Sequence, residues 1–240
     1  MNRGVAKQKF LHKAEVSILK SLRKMEGSRF SELMRPTGLT SDNFKFYLRN
    51  LVKLGWIEKD TTGNYALTPG GKELANNLDE TRQTVQRQPK ISVLVVASRQ
   101  RTDGETEYLL QRRLRHPYYG FWGLISGPVQ WGESFEETAE AELYKQTGLV
   151  AKCAVRSFCR SSDYDMDDEL LEDKLFAIML AQGVRGEIST PWGGGKSQWM
   201  TLAKLLTQDK YFPLTADQIR LAEKGVTYTA AKPRYALAEY

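Results

Sequence analysis

Apolar positions recur at helical spacing through the first quarter of the chain and become nearly continuous after residue 90, and that change divides the sequence. Phe10, Leu11, Ala14, Ile18, Leu19 and Leu22 mark one face of a helix predicted from about Lys7 to Met25 and closed by Gly27. Phe30 to Met34 continues as a short second helix ended by Pro36 and Gly38. Thr40 or Ser41 then caps a third, Asp42 to Leu54, whose buried stripe is predicted as Phe44, Tyr47, Leu48, Leu51 and Leu54. Gly55 to Thr68 reads as two short strands about a tight glycine turn, and Pro69, Gly70 and Gly71 open a further helix to about Glu80. The polar run Asp79 to Lys90 has no aromatic residue and contains a proline, which makes it the linker, although its first half can prolong the preceding helix. The boundary near residue 88 gives two domains, 1–87 and 88–240.

Ile91 to Ala97 then reads as a buried strand, with Glu107 to Arg113 as its hairpin partner across a turn at 102–105. Between Gly127 and Leu149 a glycine loop feeds a helix predicted over Phe135 to Thr147. Ser134 and Glu137 form a capping box, Glu136 and Glu137 occupy the positive first turn, and Gly148 suits the C-terminal stop. On that helix Glu142, Lys145 and Gln146 fall at i, i+3 and i+4 and share one face. Val150 to Phe158 and Lys174 to Ala181 are further strands. The run SSDYDMDDELLED between them reads as a solvated acidic connection, with the alternative that one carboxylate supplies a metal ligand or a general base. Thr215 to Lys224 gives a final helix, and Val226 to Tyr240 a tail or a dimer arm.

The net charge of +6 is unevenly placed: residues 1–90 hold 17 Lys+Arg against 9 Asp+Glu, the remainder 18 against 20. The basic excess belongs to the N-terminal part and points to a polyanionic partner for it. No apolar run is long enough to cross a bilayer and no h-region follows the basic start, so a cytoplasmic protein without membrane partners is expected. Cys153 and Cys159 fit packing thiols, and His12 and His116 lack the accompanying cysteines of a zinc site.

The stretch GPVQWGESFEETAEAELYKQTGL resembles the signature of the Nudix hydrolase family, GX5EX7REUXEEXGU with U a bulky apolar residue. Gly127, Glu133, Glu142, Leu143, Gly148 and Leu149 match, six of nine specified positions. The signature arginine is replaced by Ala141, and the paired glutamates that bind the family's divalent metal are replaced by Lys145 and Gln146. A hard cation wants several anionic oxygens, whereas this helix offers one carboxylate beside an ammonium. The resemblance therefore implies the Nudix scaffold with only remnant catalytic positions, Glu133 and Glu142, and no cofactor is expected. About 75 residues of the N-terminal part, with the phrases LVKLGWIEK and LTPGGKEL, resemble the winged helix-turn-helix family. Together these imply an α+β chain, with a winged helix-turn-helix domain followed by an α/β/α Nudix-like domain on a mixed sheet.

Carried onto matching positions, the winged helix offers Ser41, Asn43, Lys45, Arg49, Asn50 and Lys53 on its third helix, and Lys59 and Thr62 on its wing, to double-stranded DNA. In the second domain Lys145 can supply in fixed form the charge that a metal supplies to a diphosphate, beside Glu142 and Gln146. Trp122, Trp131, Tyr118 and Tyr119 are available to stack on a base. Arg112 and Arg113 follow each other on a strand, so only one faces a pocket, and Arg112 is carried as the candidate. The resulting expectation is a homodimeric DNA-binding regulator whose Nudix-like domain senses a phosphorylated small-molecule effector. The alternatives are an active Nudix hydrolase using Mg²⁺ through Glu142, Glu133 and an acidic-run carboxylate, or a protein-interaction module.

Overall fold

A computed structural model describes residues 11–25, 27–79, 84–85, 88–189, 192–225, 228–231, 233–234 and 236, and the chain divides between Arg87 and Gln88 into two compact units. In the first, α1 (Lys13–Lys24) starts at His12, whose Nδ1 accepts from the Ala14 N–H while Glu15 caps the His12 N–H in return. The predicted helical residues 7–10 lie outside the described residues. α2 (Phe30–Met34) runs into a single 3₁₀ turn, and α3 (Ser41–Lys53) follows from the cap position Thr40. Phe44, Leu48 and Leu51 bury the inner face of α3 against Ile18, Leu19, Leu22 and Leu33, with Tyr47 packed at the edge. Leu54, expected in that stripe, is exposed, because the helix ends at Lys53 and the chain turns at Gly55 in the left-handed conformation.

β1 (Ile57–Lys59) and β2 (Tyr65–Leu67) pair antiparallel as the wing. The turn between them is built on Asp60, whose carboxylate accepts from the Thr62 N–H, the Thr62 hydroxyl and the Asn64 N–H. α4 (Pro69–Asn76) ends earlier than its predicted limit at Glu80, and the chain instead pairs β3 (Leu78–Asp79) with β4 (Thr84–Val85). Asn77 stands where a helix would have continued, and the expected prolongation of α4 into the linker does not occur.

The second unit is built on one mixed sheet. Its strands are β5 (Lys90–Val96), β6 (Ser98–Gln100), β7 (Thr106–Arg113), β8 (Trp122–Pro128), β9 (Val150–Tyr164), β10 (Leu170–Arg185), β11 (Gly195–Met200) and β12 (Tyr228–Ala231). They order as β11-β7-β8-β5-β10-β9-β12, with β6 beside β7; β5–β10 and β9–β12 are parallel and the other pairs antiparallel. α5 (Phe135–Thr147) covers one face, with Ala139 and Leu143 on Val93, Val95, Leu109, Ile125, Ala177 and Met179. α6 (Leu202–Leu206) and α7 (Thr215–Lys224) cover the other, with Leu205, Ile219 and Ala222 on Leu94, Val96, Leu110 and Ile178. The near-continuous apolar texture of β5 and β10 is thus explained: alternate residues serve two cores at once.

The acidic run departs most from its expectation. β9 continues to Tyr164 and β10 begins at Leu170, so the run is the tip of a long hairpin with Asp163 and Glu172 paired across strands and buried. Cys153 and Cys159 are free and buried. Among the described residues no helix is long and apolar enough to cross a membrane.

Candidate functional site

The helix α5 forms as its sequence dictates. Ser134 and Glu137 close the capping box reciprocally, and Gly148 ends the helix in the left-handed region. Both Ser134 bonds hold the Glu137 carboxyl below its ordinary pKa. Gly127 brings β8 against this helix so closely that a Cβ there would overlap the Glu142 side chain. Glu142, Lys145 and Gln146 do meet on one face, where both Glu142 oxygens are taken by the other two, while Gln146 Oε1 is buried with no hydrogen-bond partner among the described residues. Lys145 Nζ lies 2.9 Å from Glu142 Oε1, and Gln146 Nε2 donates to Glu142 Oε2 at 2.6 Å and to the Ser126 carbonyl at 2.9 Å. Glu133, which the family pairs with the missing arginine, accepts instead from the Thr138 hydroxyl at 2.9 Å.

This donor set does not fit the family's divalent metal. Both oxygens of Glu142 are taken, one by a cation, and among the described residues no three His, Cys, Asp or Glu side chains converge as a metal site would need.

A cavity of about 300 Å³ opens among β5, β7, β8, β9, β10 and the lead-in to α7, within the range of small-molecule sites. Its charged wall holds Lys90, Arg113, Arg115 and Lys174 against Asp163 and Glu172. The two carboxylates are saturated. Asp163 accepts from the Ser161 and Tyr118 hydroxyls, both at 2.7 Å, and from Lys174 at 3.3 Å; Glu172 accepts from Lys90 at 2.7 Å and Lys174 at 2.5 Å. Burial works against ionisation of Glu172, yet the Lys174 charge and the hydrogen bonds from Lys174 and Lys90 outweigh it and hold the carboxyl below its usual value. Arg113 donates from Nε to the Pro117 carbonyl. Burial, then the neighbouring Arg115 charge, lowers its pKa, but a guanidinium starts so high that it stays a cation. The wall therefore keeps a cationic surplus, the chemistry of a phosphate site.

The rest of the lining is apolar or neutral. Leu94, Leu124, Phe176 and Phe212 form its floor and side, and Tyr118 is buried there with φ of 64°, held by its Asp163 bond and by Phe121 and Phe212. The predicted ligand residues mostly stand elsewhere. Arg112 is exposed on the opposite side of β7 and Arg113 takes the cavity position, as strand alternation requires of one of the pair. Trp122 is buried in the core under α6 and α7, Trp131 is 99% exposed at the loop before α5, and neither lines the cavity. Glu142, Lys145 and Gln146 lie outside the lining as well, although Gly127 and Ser126 beside them belong to it. Tyr119 is exposed and stacks on His116. Asp163 and Glu172 stand out in the sequence only as members of the acidic run, and Lys90 and Lys174 not at all; the period-two spacing of Ser161 and Asp163, and of Glu172, Lys174 and Phe176, is the signal that puts each set on one strand face, and it does not reach Lys90.

On the first unit, Ser41, Asn43, Lys45, Arg49 and Lys53 are exposed along α3, and Lys59 is exposed on β1. Asn50 is the exception: its amide donates to Glu15 at 2.5 Å, tying α3 to α1. Thr62 is exposed, but its hydroxyl is used within the wing turn. Lys45 has Asp42 at 3.3 Å, while Arg49 and Lys53 have no acidic partner among the described residues.

A mixed sheet between two helical layers, crossed by a capped helix running from a glycine loop to a terminal glycine, is the architecture of a Nudix domain. The NUDIX domain model matches residues 87–221, more than half of the chain, and the chain belongs to that family. A winged helix-turn-helix model matches residues 13–86. Among solved structures, the NUDIX domain of Shewanella oneidensis NrtR complexed with ADP ribose is similar at 20% identity and a TM-score of 0.50, covering 66% of this chain and 98% of that one. A MutT NUDIX hydrolase from Burkholderia pseudomallei is similar at 22% identity and a TM-score of 0.46, covering 56% and 98%. Shewanella oneidensis NrtR complexed with a 27mer DNA is similar at 22% identity and 0.43, covering 56% and 60%. At these identities the likeness concerns the fold. No curated protein is a significant sequence match.

Proposed function

We propose that this protein is a cytoplasmic, homodimeric DNA-binding transcriptional regulator whose NUDIX domain holds a phosphorylated nucleotide or sugar ligand without turning it over. The observation that carries the reading is the junction in one chain of two features: a winged helix whose α3 leaves Arg49 and Lys53 without an acidic partner among the described residues, and a Nudix helix whose Glu142 is closed by Lys145 and Gln146. The first is chemistry for a polyanion. The second removes the site at which the family activates water, while the cavity keeps the cations that hold phosphate. ADP ribose, the ligand of the similar NrtR domain, is the first effector to try. Its two states must differ in ligand affinity for DNA binding to respond.

The test combines three measurements on the full chain. ADP-ribose, NADH and nucleoside triphosphates with Mg²⁺ or Mn²⁺ are expected to yield no phosphate; turnover above about 1 s⁻¹, an ordinary enzyme rate, overturns the reading. Fluorescence anisotropy on a duplex library should show binding that weakens steeply with salt. ADP-ribose at saturation should then shift that affinity, and a ligand that binds without shifting it would make the cavity something other than a sensor.

A further inference from the structure

Beside its charged wall the cavity has a neutral polar one, formed on α7. Thr215 and Gln218, at i and i+3 on α7, line the cavity while being only 1% and 6% exposed. Among the described residues the Thr215 hydroxyl is buried with no hydrogen-bond partner, and the Gln218 side-chain amide, which is not fully enclosed, makes no hydrogen bond either. An unsatisfied buried polar group is costly, so the Thr215 hydroxyl calls for something to fill its hydrogen bond, and Gln218, one turn along the same helix, lines the same cavity. The buried carboxylates across the cavity show the contrast, since every oxygen of Asp163 and Glu172 is already taken.

The chemistry of the vacant bonds identifies their partner. A glutamine amide presents one donor edge and one acceptor in a plane, and a hydroxyl can do either. Neither carries charge, so they do not select phosphate, which the Arg113 and Lys90 wall suits better. They match a planar group with a donor and an acceptor side by side, which a nucleobase edge offers, and Phe176 and Phe212 in the same lining supply surface for its faces. We propose that Gln218, assisted by Thr215, reads the hydrogen-bonding edge of the ligand's nucleobase and so separates nucleotide ligands from plain sugar phosphates. This rests on the effector reading above and assigns the end of the ligand that the cations leave unread.

Isothermal titration of the full chain with ADP-ribose and with ribose 5-phosphate tests it. Wild type should bind ADP-ribose the more tightly, and Gln218→Leu should weaken ADP-ribose by about 5- to 100-fold, the worth of one bidentate base contact, while leaving ribose 5-phosphate within about twofold. Thr215→Val, which keeps the side-chain shape, should show the same selectivity at about threefold, the worth of one neutral hydrogen bond, and carries the test if Gln218→Leu does not fold. Equal losses for both ligands, or none in folded variants, overturn the assignment. So does a wild type that binds ribose 5-phosphate as tightly as ADP-ribose, although the effector reading then stands. Wild type binding neither ligand overturns both.

Discussion

Two helices of thirteen residues, α3 and α5, each carry charge on an outward face, and they dispose of it in opposite ways. On α3, Lys45, Arg49 and Lys53 follow one another every fourth residue, and among the described residues only Lys45 has an acid beside it. On α5, Glu142, Lys145 and Gln146 form a closed set in which the carboxylate is fully used. A charged helical face thus signals a partner only where the protein has not already supplied one. Counting charges in the sequence does not separate the two cases; geometry does.

The largest effect expected from this contrast is on DNA. With six to ten phosphates contacted, wild-type affinity should fall by about 10³ or more between 50 and 200 mM salt, and Arg49→Ala with Lys53→Ala should reduce the slope of log affinity against log salt by about two. Anisotropy titrations across salt measure both. An unchanged slope would mean that the open face of α3 does not meet the backbone.

The next effect lies in the cavity, where charge is also closed but buried. Lys174→Met removes the cation shared by Asp163 and Glu172 and should destabilise the second unit by about 3–5 kcal/mol, read from chemical denaturation. The same network predicts an acid dependence. Glu172 has its folded pKa below the unfolded one, so its stabilisation is complete above the unfolded value and disappears as pH falls through the folded one. Glu172→Gln should therefore flatten the loss of stability on acidification below about pH 4.5, near which a free glutamate is half protonated. An equally steep loss would place the acid-sensitive group elsewhere.

Opening α5 should invert its character. Ala141→Arg, Lys145→Glu and Gln146→Glu together replace the internal cation by clustered carboxylates, and in EDTA the protein should lose up to about 1 kcal/mol from two like-charge pairs with Glu142. Mg²⁺ should restore the midpoint of thermal unfolding in this variant and leave wild type unmoved, because only a site that binds the folded state shifts it. A variant indifferent to Mg²⁺ would show that this face is not where a metal could sit.

How much of this was legible follows from the range of the forces involved. The limits of α5, its cap at Ser134 and the shared face of Glu142, Lys145 and Gln146 are set within one or two turns, and the sequence states them outright. The cavity is assembled from strands far apart in the chain, as Lys90 with Glu172 and Tyr118 with Asp163 show, and no local pattern announces such pairs. The acidic run misled for a related reason. Its carboxylates read as solvent-facing, yet β9 and β10 extend through it and alternation turns Asp163 and Glu172 inward. Trp122 and Trp131 share the same ring chemistry, and it is the fold that puts one in the core and the other in solvent.

The smallest effect sharpens the comparison at the helix starts. α5 begins at Ser134, whose hydroxyl accepts from the Glu137 N–H, while α3 begins at Thr40, whose side chain makes no capping bond. Ser134→Ala should then cost about 1 kcal/mol, and Thr40→Ala a few tenths at most, since only the first removes a bond that the helix uses. Thermal unfolding of the two single variants in one buffer decides it. The pair matters because it tests the same distinction on uncharged groups: α5 is finished by its own residues at both its start and its charged face, whereas α3 leaves its first N–H groups to solvent. Equal costs would show that Thr40 does cap α3 in solution, and the contrast between a self-contained helix and an open one would then hold for the charged faces alone.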